Sequence, residues 1–83
     1  MAKRSNVATV VIDKKKYFIE SDAIADITMK TGIKHEGVRV VGINVMGDGL
    51  RVVGKDGISE IPTNLIKHIQ DSKNSTFPGV TVK

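Results

Sequence analysis

The chain has no cysteine and no tryptophan, and aromatic residues make up only 4% of it. Without thiols, neither a disulfide nor a thiolate zinc site can staple the fold. Its histidines, His35 and His68, are too few for an ordinary structural metal site without carboxylate help. Long apolar runs are missing as well. Val7–Ile12 ends at Asp13 and three lysines, short of a signal-peptide core and far short of the roughly 18 residues that span a membrane. The expectation is a soluble, cytoplasmic chain with no membrane partner and no cofactor. With 83 residues it forms a single domain, 1–83, with a thin core. Oligomerisation, as a homo-oligomer, is the remaining common support for so small a core.

What the chain does have is positive charge in one place. Residues 1–16 hold Lys3, Arg4, Lys14, Lys15 and Lys16 against Asp13 alone, a balance of +4 that equals the net charge of the whole chain. Such a block is an electrostatic footprint for an acidic partner. It is also what a solvated turn and a flexible basic arm over residues 1–6 look like in a small soluble domain.

The local pattern is rich in β-branched residues. Val7–Ile12 and Lys16–Ile19 read as the strands of a hairpin whose tip carries the lysines, a placement that also guards against edge-to-edge pairing. Ser21 as an N-cap, Asp22 and Asp26 near the first turn, and Ile24, Ile27, Thr28 and Thr31 on one side predict a helix over about 22–31, ended by Gly32. In Val38–Met46, the apolar parity changes at Gly42, which predicts a bulge or sharp bend. Gly47-Asp48-Gly49 and Lys55-Asp56-Gly57 are turns between short strands. Pro62 ends the last of these, and a short helical turn follows at about 63–70, with Leu65, Ile66 and Ile69 on one face. A polar linker over 71–79 leads through Phe77 to a terminal strand, 80–82. Val80 and Val82 can pair with the chain's own sheet, with a second copy or with a partner strand, or belong to a frayed tail.

Motifs for catalysis are wanting. Gly47-Asp48-Gly49-Leu50-Arg51-Val52 lacks the last glycine of a dinucleotide loop, and Gly54-Lys55-Asp56 lacks the hydroxyl residue of a phosphate loop. His35-Glu36-Gly37 has no second histidine at zinc-binding spacing. Ser59, His68 and Asp71 could be drawn as a triad on paper, but nothing supplies an elbow or an oxyanion hole. Asn74-Ser75-Thr76 matches the glycosylation pattern by chance in a chain read as non-secreted. The chain therefore reads as a non-enzyme.

From Leu50 to Ile69 the order strand, turn, short strand, Ile61-Pro62 and one-turn helix resembles the end of SH3-like barrels. The resemblance implies a small, strongly bent barrel. It implies no proline-rich ligand, because Leu65 stands where that family's helix carries an aromatic and tryptophan is absent.

The fold expected is α+β and mainly β: a bent antiparallel sheet or SH3-like barrel with one inserted helix. The function expected is a non-catalytic module binding another protein, as a regulator or inhibitor of a larger machine. The contact residues are Lys14, Lys15, Lys16 and Tyr17, with Lys3 and Arg4, and Val80, Val82 and Phe77 serve strand pairing or oligomerisation. The alternatives are a nucleic-acid-binding domain using the same basic tip, with Tyr17 stacking on a base, and a structural subunit of an oligomer.

Overall fold

The computed structural model describes residues 7–83, so the basic arm at 1–6, with Lys3 and Arg4, lies outside the described residues. The chain runs β1 (Val7–Ile12), β2 (Lys15–Glu20), β3 (Ile24–Met29), β4 (Lys34–Ile43), β5 (Gly49–Gly54), β6 (Gly57–Pro62), a 3-10 turn (Thr63–Leu65), β7 (Ile66–Asp71) and β8 (Val80–Val82). Two open antiparallel sheets result, one ordered β1-β2-β8 and the other β6-β5-β4-β3-β7.

The inserted helix is not there, so the class is all-β rather than α+β. Residues 24–29 form β3, between β4 and β7. The decisive period is two: Ala23, Ala25 and Ile27 are fully buried, while Ile24, Asp26 and Thr28 are half-exposed on the other face. Neighbouring strands on both sides fix that choice, against the local helical spacing. Ser21 caps nothing; with Asp22, in a left-handed conformation (φ 70°), it turns the chain from β2 into β3. The Asp22 N–H then donates to the Val40 carbonyl at 2.7 Å, and the Val40 N–H to that of Ala23 at 2.8 Å. Gly32 adopts the positive φ expected of it (97°), but in the β3–β4 turn, where its N–H donates to the Met29 carbonyl. Asp26 accepts the Gly37 N–H at 2.8 Å where β4 bulges past β3, and Gly37 sits there at φ 65°.

The second helical expectation shrinks in the same way. Only Thr63–Leu65 are helical, and Ile66–Asp71 continue as β7, with Ile66 and Ile69 in the core and Leu65 45% exposed. The bend at Gly42 is found: Val40 pairs with Val52 but Gly42 with Arg51, so two residues of β4 oppose one of β5. Before the bulge Val38 and Val40 face inward, and after it Ile43 packs against the core.

One core joins the sheets. Ala8, Val10, Ile12, Tyr17 and Ile19 from the first meet Ala25, Ile27, Val40, Leu50, Val52, Ile66 and Ile69 from the second. The stretch before β8 is tied down at both ends. Ser72 is buried and its N–H donates to Ile24, while Asp71 Oδ1 accepts from the Gly79 and Val80 amides at 2.9 and 3.2 Å.

The β4–β5 loop is braced by Asn44. Its Nδ2 donates to Asp48 Oδ1 at 2.8 Å and to Glu60 Oε2 at 2.9 Å, and its Oδ1 accepts the Asp48 N–H at 3.0 Å. Asn44→Ala should therefore cost about 1–2 kcal/mol, given the exposure of the group, and quicken amide exchange at Asp48 in an NMR measurement. An unchanged exchange rate there would show that the turn holds itself.

Candidate functional site

The β1–β2 hairpin carries Lys14, Lys15, Lys16 and Tyr17 of the residues singled out from the sequence. Its turn is Asp13-Lys14, both at positive φ (49° and 69°), the geometry of a two-residue turn matched to strand twist. Ile12 and Lys15 flank it, and alternation back along the ladder makes Val10–Tyr17 and Ala8–Ile19 the hydrogen-bonded pairs. Lys16 belongs to the other set, and its backbone turns away from β1. Its N–H donates to the Lys83 carbonyl at 3.0 Å, and the Lys83 N–H donates back at 2.8 Å. By the same alternation, Val7, Thr9 and Val11 turn their N–H and C=O groups away from β2, to the open edge of the sheet. Among the described residues no further strand pairs with that edge.

The same parity sorts the side chains. Tyr17 is only 5% exposed and sits in the core, with its ring edge-on to that of His68 at 6.4 Å between centroids. It is thus turned away from the surface assigned to it from the sequence. Phe18 takes the outward position instead, half-buried between Thr9 on β1 and Thr81 on β8. The next row of that face is Val11, Lys16 and Lys83. Lys14, Lys15 and Lys16 are all exposed, and Lys83 joins them from the far end of the chain. Phe18 was legible from alternation in Lys16-Tyr17-Phe18-Ile19. Lys83 was not, because only the long-range register of β8 brings it there.

β8 pairs within the chain, Val80 with Ile19 and Val82 with Tyr17. Val80 packs on the core, Val82 is half-exposed, and Phe77 lies in the stretch before β8 with its carbonyl accepting the Ser75 hydroxyl at 2.6 Å.

The remaining edges are guarded where β1 is not. β6 begins with Gly57, carries Glu60 and ends at Pro62; β7 exposes Lys67, His68 and Gln70; β8 has three residues. β1 has six residues, none charged and none proline. Its lysine neighbours lie on the turn and on β2, an interior strand of the sheet.

Elsewhere, Ser59 lies on β6, while His68 on β7 shares a hydrogen bond with Gln70 at 3.1 Å. Asp71 is occupied by the Gly79 and Val80 amides. Val45 and Met46, at 99% and 81% exposure, cap the Asn44-braced loop. Among the described residues, no helix is long and apolar enough to cross a membrane. No family model, curated protein or solved structure matches this chain.

Proposed function

We propose that this domain is a non-catalytic interaction module that binds another protein through the β1–β2 hairpin. The observation that carries the reading is the contiguity of two features. An uncharged strand edge at Val7–Ile12, left open among the described residues, adjoins an exposed group of lysines, Lys14, Lys15, Lys16 and Lys83. Backbone groups left open on β1 supply affinity to any extended segment, and the lysines select for acidic character and speed encounter. The one-turn helix after Pro62 and the bulge at Gly42 support an architecture related to SH3-like barrels, with the binding surface on the added hairpin rather than on the barrel part.

A second reading draws on Phe18. A half-buried aromatic in the middle strand, with Lys16 and Lys83 one row away on the same face, suits stacking on an unpaired base beside phosphates. A single aromatic makes a small platform, so protein binding is preferred.

The test uses the intact chain and the variant Lys14→Ser/Lys15→Ser/Lys16→Ser. Expected is a protein that co-purifies with the parent chain, rebinds it in isolation, and rebinds the triple variant about tenfold or more weakly. Mobility shift of single-stranded RNA and DNA at two salt concentrations is the counter-test. Tight oligonucleotide binding with a steep salt dependence that the triple variant flattens would transfer the surface to nucleic acid.

A further inference from the structure

We propose that the open edge of β1 accepts an extended segment of the partner as an added strand, with acidic residues at the end that reaches the Asp13-Lys14 turn. The inference rests on the protein-binding reading and specifies its mode and its partner's chemistry.

The backbone groups come first. Thr9 and Val11 turn their amide and carbonyl groups outward, by the alternation that the Lys16–Lys83 bonds fix. Val7 shares that backbone parity. A strand laid along this edge extends the sheet from β8-β2-β1 by one member without displacing any strand already paired. The side chains add a preference. Val11 is 60% exposed on the outer face, in the row next to Phe18. An apolar residue on the outer face of the incoming strand would cover it, and alternate positions of that strand would share the face.

Charge decides between a foreign strand and a second copy. Lys14, Lys15, Lys16 and Lys83 gather at one end of the edge, and only Asp13 stands among them. A second copy offers Val7–Ile12, which carries no acid, flanked in sequence by Lys3 and Arg4 on one side and the lysine turn on the other. A second copy's Val7–Ile12 brings no acid to these lysines, whereas a strand ending in Asp or Glu meets opposite charge. The same edge thus attracts an acidic segment and offers its own copy no matching charge.

A display library of random twelve-residue peptides, selected on the full chain, tests this. The variants are Thr9→Pro, which removes an outward N–H and leaves the β1–β2 ladder intact, and Val11→Glu, which keeps every backbone group but opposes an acidic strand. Expected are peptides that alternate apolar residues and carry Asp or Glu at one end, binding each variant about tenfold or more weakly than the parent chain. Thermal melts of both variants establish that they fold, and Val11→Glu answers the question should Thr9→Pro not. Peptides that bind both variants undiminished would overturn strand addition while leaving the protein-binding reading in place. A dimer in analytical ultracentrifugation that Thr9→Pro abolishes would overturn the acidic partner in favour of a second copy. Failure to enrich any peptide, together with tight oligonucleotide binding, would overturn both readings at once.

Discussion

Replacing Ile19 with alanine should destabilise the domain by about 2–5 kcal/mol in urea denaturation, with the slope of the transition unchanged. Ile19 is wholly buried and sits on the middle strand of its sheet, paired with Ala8 on one side and Val80 on the other. Its side chain faces the single core in which both sheets meet. Truncation removes a methylene and two methyl groups from contact, and strands fixed on both sides cannot collapse to refill the space. A small core stabilised by only a few kcal/mol has little reserve, so much of the variant population would be unfolded. Val11→Thr, on the outer face of β1, should change stability by no more than about 0.5 kcal/mol. Equal losses at the two positions would mean that the faces of the first sheet have been assigned the wrong way round.

Gly79→Ala should cost about 1–3 kcal/mol, for a reason unrelated to backbone conformation. A Cβ at position 79 would lie 2.4 Å from the Ala23 Cβ and 3.4 Å from its Cα. Residue 23 cannot retreat easily, because the Ala23 carbonyl accepts the Val40 N–H and its own N–H donates to Glu20. Residue 79 is held too, with its N–H on Asp71 and its carbonyl accepting from Glu20. The added methyl must therefore push β8 away from β2, which uncovers the second edge of β2 and invites aggregation. Adding Ala23→Gly removes the nearer clash and should recover part of the loss. A double variant as unstable as the sum of its single changes would show that the two sites do not touch.

Much of the β-structure was legible in the chain because its signals are local. Asp13-Lys14 closes a hairpin between a β-branched run and one carrying Tyr17, Phe18 and Ile19, Gly42 marks a change of parity, and Pro62 ends a strand before one helical turn. Residues 22–31 misled because their composition satisfies two periods at once. Ile24, Ile27, Thr28 and Thr31 fit a helix; Ala23, Ala25 and Ile27 fit a strand. Pairing with β4 and β7 chooses the strand, and no local rule contains that pairing. Gly32 adds to the ambiguity, since a left-handed glycine ends a helix and makes a hairpin turn equally well. Ile66 and Ile69 likewise fit a helical turn by spacing, and pairing with β3 makes them strand residues. At the candidate site, the lysine tip was visible in the charge distribution. The open edge of β1 was not, because an edge is defined by which strands are not beside it.

Residue-resolved amide exchange along β1 tests the central claim most directly, since it reads the edge without any partner. The Ala8 and Val10 amides belong to pairs bonded to β2, whereas those of Thr9 and Val11 face outward. The free domain should show slow exchange at Ala8 and Val10 and fast exchange at Thr9 and Val11, with the latter two slowed when a selected peptide is bound. Protection of Thr9 and Val11 equal to that of their neighbours in the free domain would contradict the account, because the edge proposed to receive a partner would already be covered.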